Sequence, residues 1–357
     1  MVLEICDCIR TVRSIEIQMD TYLMKKAMIE AAVTHGLKEV EEDPERSVRR
    51  LTDLGRQFSK SRFQDQIFSI MQELLNNEDS AYYDMVHNLL ANSSHDHLKK
   101  FGINVGYMSW AYGADKLRKE EDALHVQLPW GIMFRYNSDP SSALTPAVIE
   151  QLVQQGQDLG IYAWMIRQCG RESDSYELLT ILEKYKDSAF LWIKQDGRLT
   201  AAQIQMLRVC QNTLISLPVE DPETQLTTAL LHDQKIPFAI HGMYGDDYPA
   251  SQEDEQMLME RVLSTQTAIF LTIADDHTNK HLGSLCYESR LRQEYPAVLI
   301  DYYDDGRKIS EMLVNHSTLL EIGEDLTVLR GGTCGERFPA DLPLTDALRK
   351  IMPAYPA

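Results

Sequence analysis

Seven short apolar runs follow one another at nearly even intervals from residue 132 onward, and this spacing limits the possible folds more than any other feature. The runs are rich in β-branched and aromatic residues, and their first residues lie 24 to 30 positions apart, at 132–136, 161–166, 189–194, 213–217, 238–243, 268–273 and 298–302. Longer segments with helical periodicity separate them. Strands and helices that alternate in this way predict repeated βα units around a parallel sheet.

The connecting segments carry recognisable helix boundaries. Thr145 and Pro146 are a typical N-cap and first helical position, and Gly160 ends the same apolar stripe. A second helix is predicted from Thr200. Six or seven such units in series fit either an open doubly wound sheet or a partial or complete (βα) barrel. Even spacing and the lack of a Gly-rich first turn favour the barrel, so we predict an α/β fold of that type.

The two ends of the chain have different patterns. Amphipathic helices are predicted at 15–33, after Asp43-Pro44-Glu45, at 63–75 and at 81–90. A hairpin is predicted from 319–322 and 326–329, followed by a Pro-rich tail. We therefore expect a helical N-terminal extension, a barrel, and a short C-terminal hairpin and tail, with bounds at 1–100, 101–314 and 315–357.

Composition narrows the possible partners and location. Asp plus Glu total 54 against 35 Lys plus Arg, which gives a formal net charge of −19 and argues against nucleic acid as a partner. No apolar run is long enough to span a membrane, and Glu4 and Asp7 in the first apolar run are unlike a signal peptide, so we expect a cytoplasmic protein with no membrane partner. The six cysteines are too few and too scattered for a disulfide framework.

The carboxyl ends of the predicted strands are where parallel α/β folds bind ligands. His241, Asp275, His277 and Asp301 fall there and form a candidate metal or acid/base set. The alternative is that they are solvated loop residues, since loops are polar in any case. The pairs His95/His97 and His277/His281 supply two ligands each, which do not define a metal site, so none is predicted.

Several βα segments resemble radical S-adenosylmethionine (SAM) proteins, above all a group from anaerobic gut bacteria with a helical N-terminal extension. The segments are FGINV at 101–105, LPWGIM at 128–133, IEQLVQQGQDLGIY at 149–162, IPFAI at 236–240 with Tyr244, and LIDYYDDG at 299–306, with the Asp43–Arg46 region matching the extension. The resemblance runs from about residue 40 to the hairpin. It implies a barrel of the radical SAM type.

The elements that define this family are incomplete here. The resemblance places three cysteines, spaced C-x3-C-x2-C, in the loop after the first strand, where they bind a [4Fe–4S] cluster, but Tyr136 to Leu144 contain none. This implies that the cluster is absent and that radical SAM activity is lost. The family's Gly-Gly-Glu-Pro survives only as Cys169-Gly170-Arg171-Glu172, so the resemblance implies a degenerate SAM site at Gly170, Glu172, Ser216 and Glu220.

Three functions remain open at this point. The first, which we favour, is a pseudoenzyme that binds a small-molecule substrate, a peptide, an intact radical SAM enzyme or a second copy of itself. The second is an enzyme that uses the strand-end His and Asp residues with a metal or as acid and base. The third is a module that still binds SAM or another nucleotide without cleaving it.

Overall fold

The computed structural model describes residues 22–38, 77, 79–170, 176–245, 248–249, 251–274, 280–330 and 333–355. Several predictions lie outside these residues: the helices after Asp43 and at 63–75, and the candidates Glu172, Asp275 and His277. The described part of the N-terminal extension begins with a helix, α1, at residues 22–38. The part boundaries at 100 and 314 stay predictions.

Ten strands form one sheet in the order β10-β9-β8-β1-β2-β3-β4-β5-β6-β7. They are β1 Gly131–Tyr136, β2 Ala163–Gln168, β3 Ala189–Ile193, β4 Thr213–Pro218, β5 Phe238–Tyr244, β6 Ile269–Ala274, β7 Val298–Asp301, β8 Leu320–Ile322, β9 Thr327–Arg330 and β10 Thr333–Arg337. Strands β1 to β7 are parallel and follow the order of the chain. A doubly wound sheet would reverse its order at a switch point, so the arrangement is a partial barrel, as predicted.

Helices connect the strands and precede β1. They are α2 Tyr82–Asn92, α3 His95–Ile103, the π-helix π1 Asn104–Gly113, α4 Ala114–Leu124, α5 Pro146–Leu159, α6 Tyr176–Lys184, α7 Ala201–Val209, α8 Thr224–Asp233, α9 Gln252–Ser264, α10 Lys280–Arg292, α11 Asp304–Val314 and α12 Leu344–Ile351. The predicted boundaries of α5 are confirmed: the Thr145 hydroxyl accepts the N–H of Val148 and Gly160 ends the helix at φ +103°. Helix α7 begins with a capping box between Thr200 and Gln203.

The strands separate two cores. Residues that alternate along each strand point to opposite faces. On one face, Phe134, Trp164, Trp192 and Phe270 pack under the helices. On the other face, which is the barrel lumen, a second cluster is buried: Met133, Met165, Ile193, Ile273, Tyr302 and Tyr303. Apolar side chains thus fill part of the lumen and reach the level of Arg167, which pairs in register with Ile193.

The hairpin is confirmed, but its place in the fold is new. Strand β8 pairs in parallel with β1, and β9 and β10 extend the sheet beyond it in antiparallel order. The hairpin therefore borders the lumen, and the barrel stays open between β7 and β10, the two ends of the sheet. Among the helices that the structure describes, none is long and apolar enough to cross a membrane.

Candidate functional site

Four polar side chains meet at the carboxyl mouth of the lumen, and we call them the mouth network: Arg135, Arg167, Tyr303 and Glu321. Arg135 on β1 and Arg167 on β2 occupy paired positions in the register, so two guanidinium groups project side by side on the lumen face. Glu321 on β8 is 2% exposed and accepts hydrogen bonds from Arg135 Nε at 2.8 Å and Nη2 at 3.4 Å. The carboxylate therefore compensates the charge of Arg135.

Tyr303 joins this ion pair to the second arginine. Its hydroxyl lies 3.3 and 3.4 Å from the two oxygens of Glu321 and 3.5 Å from Arg167 Nη1. Burial, with a smaller contribution from Glu321, raises the pKa of Tyr303 to about 12, so the hydroxyl keeps its proton and donates to the carboxylate. The other terminal nitrogen of Arg167 lies 3.5 Å from the Met243 sulfur, across the lumen on β5.

Tyr302 is the neighbour of Tyr303 and is 6% exposed. Burial raises the pKa of its hydroxyl well above the usual value. The hydroxyl is buried without a hydrogen-bond partner in the described part of the chain. A buried polar group in that condition is uncommon in folded proteins and calls for an explanation.

The structure brings His241 and Ser216 together. His241 Nδ1 and the Ser216 hydroxyl are 3.0 Å apart, on β5 and β4, and both residues are buried. Burial and the neighbouring guanidinium of Arg167 lower the pKa of His241 to about 3, so the imidazole is neutral at physiological pH. The Ser216 hydroxyl is already hydrogen-bonded to His241, and a pKa of about 3 makes that imidazole a weak base, so the pair is not suited to act as a nucleophile with its base.

Asp301 lies away from His241. Its Oδ1 accepts the backbone N–H groups of Tyr303 at 3.1 Å and Asp304 at 2.8 Å, so the carboxylate supports the start of α11. Burial raises its pKa. Asp301 faces α10 rather than the lumen, because Oδ2 lies 3.6 Å from the position of a Cβ on Gly283. The structure therefore does not join these two members of the predicted catalytic set.

The remaining predicted residues are dispersed. Gly170 has φ +96° after β2, and its N–H donates to Gln195. Glu220 is exposed and pairs with Arg261 on α9. His97 Nε2 lies 2.8 Å from the carbonyl oxygen of Thr213, which indicates a packing role. In the residues that the structure describes, no group of three or more His, Cys, Asp or Glu side chains is placed to hold a metal ion.

The loop after β1 is held against the turn of the hairpin. Asn137 Nδ2 donates to Glu324 Oε2 at 2.7 Å, and the Glu324 carbonyl accepts the N–H groups of Ala143 and Leu144. Asp139 Oδ1 accepts both the N–H and the hydroxyl of Ser141. These amide, carboxylate and hydroxyl groups do not fit a [4Fe–4S] cluster, which is held by thiolates.

The cysteines whose side chains the structure describes are dispersed. Cys169 follows β2 singly, and burial raises the pKa of its thiol. Cys210 and Cys286 are buried under the helices, where burial raises their pKa to about 12. All three therefore stay protonated, and Cys210 and Cys286 pack as small apolar residues.

A cleft of about 540 Å³ opens beyond the carboxyl ends of β3 and β4. Lys194 lines it, is 3% exposed and pairs with Asp196 at 3.3 Å. Asp221, Glu223 and Arg198 complete its charged wall. Both signs of charge are present and Lys194 is paired within the chain, so the cleft does not define a ligand class.

The strand order and the alternating helices define this chain as an α/β partial barrel protein. No family model matches the chain, and a search of curated proteins finds no relative. One similar solved structure is SuiB of Streptococcus suis bound to its precursor peptide SuiA, with 12% sequence identity, a TM-score of 0.51, and coverage of 68% of this chain and 70% of that chain. SuiB bound to S-adenosylmethionine matches with 12% identity, a TM-score of 0.49 and coverage of 68% and 69%. SuiB alone matches with 12% identity, a TM-score of 0.49 and coverage of 82% and 78%.

Sequence reasoning missed most of the mouth network. The two arginines do occupy the same next-to-last position of β1 and β2, which was a usable signal. Glu321 could not be found in this way, because its strand was not placed beside β1. Tyr302 and Tyr303 read as ordinary apolar residues at the end of a strand.

Proposed function

We propose that this chain is a catalytically inactive relative of the radical SAM enzymes that works as a binding protein or partner subunit and holds no [4Fe–4S] cluster. The observation that carries the proposal is the loop after β1. It has no cysteine, and its polar groups are already engaged with Glu324 and with one another.

The interior of the barrel supports the same proposal. Met133, Met165, Ile193 and Ile273 are buried together in the lumen, so little room remains among them for a reacting substrate. The polar groups at the mouth form an ion-pair network that suits binding. His241 is neutral and held by Ser216, which makes it a poor general base near pH 7.

The ligand that we propose is a peptide, or a partner protein that presents one. SuiB, which shares the fold, was solved with a precursor peptide. In this chain the lumen is open at the carboxyl mouth, where Arg167 and Met243 are partly exposed. An intact radical SAM enzyme is the partner we expect to find by co-purification from the native host, and failure to recover it would remove that part of the proposal.

Anaerobic reconstitution with iron and sulfide tests the absence of the cluster. An intact radical SAM enzyme treated in parallel is the positive control. We expect no stoichiometric iron and no signal of a reduced [4Fe–4S] cluster in electron paramagnetic resonance. A stoichiometric four-iron cluster in this chain would overturn the proposed function.

A further inference from the structure

The charges at the barrel mouth are unequal. Two guanidinium groups lie at paired positions on β1 and β2, and the carboxylate of Glu321 is engaged by Arg135. No carboxylate among the described residues pairs with Arg167. Its contacts there are the Tyr303 hydroxyl and the Met243 sulfur, both at 3.5 Å, and a thioether is a weak acceptor. Among the residues that the structure describes, one positive charge is therefore in excess, at a half-buried position.

A second donor lies in the same cluster, because the ring of Tyr302 packs 4.9 Å from that of Tyr303. The Tyr302 hydroxyl is buried without a partner in the described chain, and the groups that act on it electrostatically include Tyr303, Glu321 and Arg167. A buried donor without a described partner and a guanidinium that no described carboxylate pairs with are both suited to an anionic oxygen. The neutral His241 adds no charge of its own to this region.

We propose that the barrel mouth binds a carboxylate, with Arg167 and the Tyr302 hydroxyl as the groups that contact it. A carboxylate matches the planar fork of a guanidinium and brings the single negative charge that the site lacks. A phosphate dianion would add a second charge close to the buried Glu321. The proposal names the ligand class for the binding role proposed above and rests on that role.

Titration of the full chain with trifluoroacetate, followed by ¹⁹F NMR, measures the site directly. N-acetylalanine, N-acetylalanine amide, N-acetylaspartate amide and inorganic phosphate serve as competitors, so that a terminal carboxylate, a side-chain carboxylate and phosphate are distinguished. We expect saturable binding that N-acetylalanine or N-acetylaspartate amide displaces and that the uncharged amide does not. Because the protein carries a net charge of −19, general attraction of anions does not explain such binding.

Two variants and one control assign the contacts. Arg167→Gln should weaken carboxylate binding at least about tenfold, which is the size expected for a charge-assisted hydrogen bond. Tyr302→Phe should weaken it about threefold or more and should raise the melting temperature of the free protein, since it removes an unsatisfied buried hydroxyl. Arg208→Gln, on the exposed side of α7, should bind like the original protein.

The proposal is overturned if Tyr302→Phe and Arg167→Gln bind trifluoroacetate like the original protein, if the uncharged amide competes equally, or if phosphate binds more tightly than either carboxylate. Tyr302→Phe keeps the test valid where Arg167→Gln fails to fold. If the chain is found to hold a cluster while Arg167→Gln still loses carboxylate binding, the carboxylate site stands and the proposed function fails. If the chain holds no cluster but Arg167→Gln binds the carboxylate like the original protein, the carboxylate site is refuted and the proposed function stands.

Discussion

Burial controls the protonation of His241, and this has a consequence for stability. Its pKa is about 3 in the folded chain, lowered by burial and by Arg167, against about 6.5 when unfolded. Between these values the unfolded state binds a proton that the folded state does not, so the stabilising contribution is present above pH 6.5 and is lost as the pH falls. The titration of His241 alone should lower the free energy of unfolding by about 2 kcal/mol between pH 6.5 and 5, because one proton corresponds to about 1.4 kcal/mol per pH unit.

Urea unfolding at pH 7, 6 and 5 checks this expectation. In the variant His241→Asn, the slope of the unfolding free energy against pH should fall by about the amount that one bound proton contributes. A smaller slope should remain, because burial also lowers the pKa of His97. His87→Gln, on an exposed part of α2, is the matched control. An unchanged slope in His241→Asn would contradict the assignment.

Glu321 permits a second prediction at the same scale. Glu321→Gln keeps the shape of the side chain but leaves Arg135 and Arg167 side by side without the carboxylate. We expect the free energy of unfolding to fall by about 2–3 kcal/mol. This is toward the lower end for a buried ion pair, because Arg135 is 28% exposed. Glu220→Gln, which breaks an exposed pair with Arg261, should change stability by less than about 1 kcal/mol. Equal effects in denaturant unfolding would show that the mouth network does not stabilise the fold.

At the scale of elements, π1 packs against the end of α5 through two glycines. A Cβ on Gly113 would overlap the carbonyl oxygen of Gly160 and would lie 2.7 Å from that of Met108. Because these obstacles are backbone atoms, Gly113→Ala should destabilise the protein by about 1–3 kcal/mol. Gly106→Ala in the same π-helix meets nothing within 4 Å and should be neutral or slightly stabilising. Thermal unfolding of the two variants compares them, and similar melting temperatures would refute the packing argument.

The elements were more predictable than the site. All seven parallel strands lie within two residues of their predicted bounds, because burial on both faces leaves continuous apolar runs in the sequence. The caps of α5 and α7 were also predictable, because each depends on residues that are close together in the sequence. The pairing of β8 with β1 was not predictable, since it joins residues that are almost 190 positions apart. The mouth network depends on that pairing and was missed for the same reason, whereas His241 and Ser216 were found as strand ends but not as a pair.

At the scale of the whole molecule, the sequence and the structure agree on an α/β partial barrel. The short loop after β1 is hydrogen-bonded to Glu324 in the hairpin turn. The hairpin thus contacts the loop after β1 and also supplies Glu321 to the mouth network. We infer that the mouth of the barrel binds a ligand and that the chain holds no redox centre.

The metal content of protein purified anaerobically from its native host tests this inference most directly. Elemental analysis reports iron and every other transition metal per chain without any reconstitution step. The account predicts that no transition metal is present in stoichiometric amount. Four irons per chain, matched by sulfide, would contradict it.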